Sequence, residues 1–137
     1  MAVNGLDHIN IQTRSLAETV RFFADVLDLT PGDPPAGLDP ARIQWMFDAA
    51  GRPLFHLSTP GSLLTGDAAS GVAHSEGTGA LHHVALDCSG HAAMIERLDR
   101  LGIAYRTTAV PSIDLKQVFI HEPNGVLLEL NFRSGQH

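Results

Sequence analysis

The sequence predicts an α+β fold made of two tandem copies of a strand–helix–strand–strand–strand module. Three observations support this prediction. The segment LDHINIQ at residues 6–12 returns, nearly unchanged, as LHHVALD at residues 81–87. The predicted elements follow in the same order in both halves of the chain, and several residues recur 73 to 75 positions later. A fixed spacing of this kind indicates an internal repeat, which decides the fold before any single element does.

The first half begins with an alternating strand at residues 6–13 and continues with an amphipathic helix at 16–28. Ser15 and Glu18 have the spacing of a capping box at the start of that helix. The segment TPGDPPAGLDP, residues 30–40, is rich in Pro and Gly and is expected to be a loop. Two strands joined by a tight turn are then predicted within residues 41–51 and 52–58.

The second half repeats this order after a small-residue linker, residues 59–79. A strand is predicted at 81–88 and a helix at 90–101, which Gly102 should end as a C-cap. Three strands follow at 103–110, 115–122 and 126–132, with EPNG as the turn between the last two. The chain is therefore expected to be a single domain, residues 1–137, with modules at about 5–58 and 80–132.

Composition excludes several classes of protein. The apolar fraction of 44% is ordinary, and no apolar run approaches the roughly 18 residues of a membrane span. A net charge of −6 disfavours nucleic acid and anionic membranes as partners. The N-terminal residues show no signal-peptide pattern, and a single cysteine, Cys88, cannot form an internal disulfide. These features predict a cytoplasmic protein.

Four polar residues fall at equivalent positions of the repeat. His8 corresponds to His83, 75 positions later, and His56 corresponds to Glu129, 73 positions later. Each lies in a predicted strand with apolar neighbours, where an unpaired charge or imidazole is costly. Three imidazoles and a carboxylate suit a divalent ion such as Zn²⁺, Ni²⁺, Co²⁺, Mn²⁺ or Fe²⁺. The alternative is that each histidine is an ordinary strand residue and that Glu129 is an edge charge.

The segments LDHINI, LHHVAL and QVFIHEPNGVLLEL resemble the vicinal oxygen chelate superfamily, which includes glyoxalase I, extradiol dioxygenases and bleomycin resistance proteins. The resemblance covers residues 5–132. It implies paired βαβββ modules that form a curved mixed sheet around a metal-binding cleft. It also implies that His8, His56, His83 and Glu129 are the metal ligands. Family members usually have Glu or Gln where this chain has His56.

The resemblance implies a metal-dependent enzyme that binds a small oxygenated substrate through two neighbouring oxygens. A lyase or isomerase of the glyoxalase or epimerase type fits the ligand set best, with Glu129 as the base that removes a proton beside a carbonyl. His121 is expected on the same side of the sheet as Gln117 and Phe119, either as a further acid or base or as an ordinary histidine beside the turn. Gln117 and Gln44 are expected either to orient ligands or substrate or to hold strand backbone. Asp7 and His82 are expected to point away from the site.

Two other functions remain open from the sequence. An Fe²⁺-dependent extradiol-type dioxygenase would use His8, His83 and Glu129 as a facial triad. However, Phe119 stands where ring-cleaving relatives have a tyrosine. A metal-free, bleomycin-type drug-binding protein would not need the ligands that this chain carries. Epoxide opening of the fosfomycin type would need a cluster of cations that the sequence does not show. The expected partners are a small-molecule substrate and a second copy of the chain in a homodimer.

Overall fold

A computed structural model describes residues 1–61 and 75–134 of the chain. Most of the predicted linker, residues 62–74, lies outside this description. The chain divides into two compact units, Met1–Ser75 and Glu76–His137. Within the described residues, each unit has a four-stranded mixed sheet and one α-helix.

The first unit contains a parallel pair of strands at one side of its sheet. Its elements are β1 (Ile9–Gln12), α1 (Leu16–Leu27), β2 (Thr30–Gly32), β3 (Ile43–Phe47) and β4 (Pro53–Ser58). The strand order is β1-β4-β3-β2, in which β1 and β4 run parallel and the other neighbours are antiparallel.

The second unit has the same order of elements. They are β5 (Val84–Cys88), α2 (His91–Leu101), β6 (Arg106–Val110), β7 (Leu115–His121) and β8 (Leu127–Arg133). A single turn of 3₁₀ helix, Pro111–Ile113, joins β6 to β7. The strand order β5-β8-β7-β6 repeats that of the first unit, with β5 and β8 parallel. The predicted α+β class and the tandem βαβββ modules are confirmed.

One face of each sheet contributes its side chains to the core. In the first unit Phe23 of α1 packs on Phe55 of β4, with ring centroids 4.6 Å apart, and both side chains are fully buried. In the second unit α2 contributes the buried Met94 and Leu98, and alternate positions of β7 and β8 contribute Val118, Ile120, Leu128 and Leu130. Because successive strand residues point to opposite faces, the residues between these apolar positions are free to form a site.

Two predictions for the first module are wrong. Residues 30–32 form strand β2 within the segment predicted as a loop, and β2 pairs antiparallel with β3. Pro31 is tolerated there because β2 is an edge strand, where a missing backbone donor costs little. The predicted capping box is also absent, since the Ser15 side chain makes no capping hydrogen bond. Instead, the hydroxyl of Thr13 accepts a hydrogen bond from the Ser15 backbone N–H at 2.9 Å.

The predicted turns of the second module are confirmed. Gly102 ends α2 in the left-handed conformation, with φ of 68°, as a C-cap glycine does. The EPNG turn closes with a hydrogen bond from the Gly125 N–H to the Glu122 carbonyl at 3.0 Å. No helix in the described ranges has the length and apolar character needed to span a membrane.

Candidate functional site

His83 and Glu129 form a close pair in the second unit. The His83 Nε2 lies 3.1 Å from the Glu129 Oε2. Ala85 of β5 is the register partner of Glu129 on β8, so His83, two residues before Ala85, lies diagonally across from the carboxylate on the same face. The Glu129 side chain is 13% exposed, against 41% for His83. The carboxylate is therefore the more enclosed member of the pair.

His8 and His56 form the corresponding pair in the first unit. Their rings stack with centroids 3.7 Å apart and planes inclined by 12°. Asn10 of β1 is the register partner of His56 on β4, so His8 also lies two residues before the partner of the opposite residue. Both units thus place the two residues at the same diagonal offset between parallel strands. The register agrees with the equivalence that the sequence spacing of the four residues indicates.

Trp45 covers the second face of the His56 ring. The two rings are 3.9 Å apart and nearly parallel, at 6°, because Trp45 on β3 is the register partner of His56. The His56 Nε2 is buried and lacks a hydrogen-bond partner within the described residues. Burial, reinforced by the neighbouring His8, lowers the pKa of His56 to about 4. His56 is therefore a neutral imidazole at physiological pH, which is the form that binds metal ions.

The expectation that Asp7 and His82 point away from the site is wrong. The Asp7 Oδ2 lies 2.5 Å from the His8 Nδ1, and the His82 Nδ1 lies 3.0 Å from the His83 Nδ1. In both modules the residue before the histidine therefore engages its Nδ1. The Asp7 carboxylate accepts, so the His8 Nδ1 carries the proton and the His8 Nε2 keeps the lone pair that a metal ion needs. In the His82–His83 contact either Nδ1 can be the donor.

Several residues of β7 and β8 share the face of Glu129, as the sequence predicts. Phe119 is the register partner of Glu129, and Gln117 is the partner of Asn131. The Gln117 side-chain amide donates hydrogen bonds to the Glu129 Oε1 and to the Asn131 Oδ1. His121 lies two residues beyond Phe119, at the exposed end of β7.

Gln44 does not join this set. It is the register partner of Leu57, and it lies on the opposite face of the sheet from Trp45 and His56. Its amide donates to the Asp33 carboxylate at 3.0 Å and to the Pro40 carbonyl at 2.9 Å. Gln44 therefore holds the loop before β3, which agrees with the expectation that it holds backbone rather than a ligand.

The donor atoms of the His83–Glu129 pair fit a divalent metal ion. Two ligand atoms that occupy adjacent positions at about 2.1 Å from an ion lie about 3 Å apart, which is the separation of the His83 Nε2 and the Glu129 Oε2. The buried His56 Nε2, which has no hydrogen-bond partner within the described residues, can offer its lone pair to a metal ion when the proton is on Nδ1. Among residues 1–61 and 75–134, no group of three or more His, Cys, Asp or Glu side chains is placed to hold a metal ion.

The fold is that of a tandem βαβββ protein with a polar pair repeated in each unit. Comparison with family profiles identifies the superfamily. The profile of the Glyoxalase/Bleomycin resistance protein/Dioxygenase superfamily matches residues 5–130. The chain belongs to this superfamily. A comparison with curated protein sequences found no match.

Solved structures of this superfamily share the fold. The chain is similar to a lactoylglutathione lyase from Agrobacterium tumefaciens, with 18% identity, a TM-score of 0.67 and coverage of 96% of each chain. It is also similar to the genomically encoded fosfomycin resistance protein FosX from Listeria monocytogenes, with 16% identity and a TM-score of 0.66 over 98% of this chain and 97% of that one. A glyoxylase/bleomycin resistance protein/dioxygenase domain from Frankia sp. EAN1pec has 18% identity and a TM-score of 0.67, covering 99% and 97%. At these identities the likeness shows the fold alone.

Proposed function

We propose that the chain is a metal-dependent lyase or isomerase of the glyoxalase type, acting on a small substrate through two neighbouring oxygens. The observation that carries the proposal is the His83–Glu129 pair, in which the His83 Nε2 and the Glu129 Oε2 lie 3.1 Å apart. The proposed ligands are His8, His56, His83 and Glu129. A bound divalent ion would supply Lewis acidity that stabilises negative charge on the substrate oxygens.

Glu129 is the residue that we propose moves the proton. A carboxylate is a suitable base for a proton beside a carbonyl when it is held within reach of that proton. The low exposure of Glu129 limits competition from water, and Phe119, its register partner, supplies an apolar wall beside it. His121 stays a proposed acid or base at the end of the same face.

The reaction can be followed without knowing the natural substrate. Small α-hydroxycarbonyl compounds exchange the proton beside the carbonyl with D₂O when a base removes it, and proton NMR records the loss of signal. We expect the metal-loaded protein to catalyse this exchange. Glu129→Gln, which keeps the shape but removes the base, should abolish it. Exchange that survives in Glu129→Gln would refute the role of Glu129.

Elemental analysis after purification without chelator tests the ligands. We expect near-stoichiometric metal in the wild type and loss of metal in His83→Ala and His56→Ala. His91→Ala is the matched control, because His91 packs edge-on against Phe132 at 5.3 Å and is not one of the proposed ligands. Iron that persists in His56→Ala, with O₂ uptake on a catechol, would favour the dioxygenase. A wild type without metal, even after reconstitution, would favour the drug-binding protein.

We also propose that the protein works as a homodimer in the cytoplasm, with a small molecule as its substrate and without nucleic acid or membrane as a partner. The free thiol of Cys88 suits a reducing compartment. Light scattering coupled to size-exclusion chromatography tests the dimer, and a mass of one chain at micromolar concentration would refute it.

A further inference from the structure

Gln117 is the centre of a hydrogen-bonded row that crosses three strands. The Thr108 hydroxyl on β6 donates to the Gln117 Oε1 at 2.7 Å. The Gln117 Nε2 on β7 donates to the Glu129 Oε1 on β8 and, at 3.1 Å, to the Asn131 Oδ1. The row follows from the register, because Thr108, Gln117 and Asn131 are direct cross-strand partners. Glu129 is the diagonal neighbour that a long side chain can reach.

The partners determine which way the amide of Gln117 faces. Both Glu129 and Asn131 present oxygen atoms, so the side toward them must be the NH₂ group. The opposite orientation would place the amide oxygen against the carboxylate and leave the NH₂ group facing Thr108. The Thr108 hydroxyl stabilises the observed orientation because it can donate to the amide oxygen from the other side.

We propose that Gln117, oriented by Thr108, is a positioning residue that holds the Glu129 carboxylate by its Oε1. The Oε2 is then the oxygen that faces the His83 Nε2, so Glu129 offers one oxygen rather than two as a ligand. The inference about ligand geometry rests on the proposed function, whereas the hydrogen-bonded row is formed by this chain's own side chains. Partners that orient a ligand typically change metal affinity by about 10- to 100-fold.

The edge strand provides a matched pair of variants. Thr108 is exposed on β6, so neither Thr108→Val nor Thr108→Ser should disturb the core. Thr108→Val keeps the shape and removes the hydroxyl, whereas Thr108→Ser keeps the hydroxyl. Gln117→Met removes the amide at nearly constant length. Thermal melting of each metal-free variant checks that it is folded.

The first measurement uses metal-free protein. In ¹⁵N–¹H spectra, the side-chain NH₂ resonances of Gln117 report its hydrogen bonds to Glu129 and Asn131. We expect the wild type and Thr108→Ser to share these resonances, with slow exchange against solvent, and Thr108→Val to shift them and exchange faster. Identical resonances in Thr108→Val and Thr108→Ser would overturn the orienting role of Thr108.

The second measurement is Mn²⁺ or Co²⁺ affinity by calorimetry. We expect affinity to fall about 10-fold or more in Gln117→Met, to fall less in Thr108→Val and to be restored in Thr108→Ser. Unchanged affinity in a folded Gln117→Met would overturn the positioning role. If the wild type bound neither ion, the proposed function would fail, and the amide resonances would still decide whether Thr108 orients Gln117.

Discussion

Removal of the Glu122 carboxylate should loosen the turn that joins the two strands carrying Gln117 and Glu129. Glu122 is 2% exposed. Its Oε1 accepts the backbone N–H groups of Asn124 at 2.7 Å and Val126 at 2.9 Å, and its Oε2 accepts the Asn124 Nδ2 at 2.7 Å. The side chain thus replaces the backbone acceptors that a tight turn lacks.

The cost of its loss can be estimated from these three bonds. A hydrogen bond to a charged group contributes about 1.5–3 kcal/mol to stability. In the variant, water can reach some of the turn donors that lose the carboxylate, and this reduces the total cost. We therefore expect Glu122→Ala to lower the free energy of unfolding by about 3 kcal/mol, which for a chain of this size lowers Tm by roughly 10 °C. Glu122→Gln keeps an oxygen for both backbone donors and should cost only about 1 kcal/mol.

Urea denaturation followed by circular dichroism measures both variants against the wild type. The midpoint should move in the order wild type, Gln, Ala, without a change in the slope m. Equal midpoints for Glu122→Ala and the wild type would show that the three bonds do not stabilise the turn. Equal losses in the Gln and Ala variants would show that charge, rather than the backbone acceptor, is what matters.

Three further predictions concern single side chains. Burial, helped by the negative charge of Asp87, raises the pKa of Cys88 to about 11. At pH 8 iodoacetamide should therefore label the native thiol far more slowly than the thiol of the urea-unfolded chain. Equal labelling rates would contradict this. The pKa of His56 is lowered from 6.5 to about 4, so between these pH values only the unfolded chain takes up this proton. The free energy of unfolding of metal-free protein should therefore be highest above about pH 6.5 and fall toward pH 4. His56→Gln should flatten this part of the Tm–pH curve, and a parallel curve would argue against the assignment. Asp7→Ala and His82→Ala should each weaken Co²⁺ binding about 10-fold by freeing the Nδ1 of the adjacent histidine, and calorimetry that finds unchanged affinity would show that these contacts do not orient the rings.

The EPNG segment shows how a sequence motif can carry more than one meaning. It is part of the pattern by which the chain resembles its superfamily, including the ring-cleaving members. In the structure the Glu122 carboxylate accepts three hydrogen bonds from residues of the turn, and Gly125 adopts a left-handed conformation with φ of 87°. The motif therefore specifies the β7–β8 connection, and it does not favour one reaction of the superfamily over another.

The sequence alone determined the tandem modules and the four repeated polar positions. Strand alternation, helical periodicity and turn residues each depend on neighbouring positions, so the sequence alone is enough to predict the elements. The spacing of 73 to 75 residues aligns the two copies. Strand β2 was missed because a segment of three residues containing Pro31 has no alternation to detect. Its pairing depends on the presence of β3 as a partner.

Only the tertiary structure decided which side chains meet around the four positions. Asp7 and His82 precede strands β1 and β5, so alternation within a strand does not fix where they point, and both turn toward the adjacent histidine. Thr108 reaches the site only through Gln117, a contact that requires the β6–β7 register. Gln44 lies 73 positions before Gln117, yet it is on the opposite face of its sheet from His56. A shift of one residue along a strand moves a side chain to the other face. Register between strands is a property of packing, and the spacing of residues along the chain does not contain it.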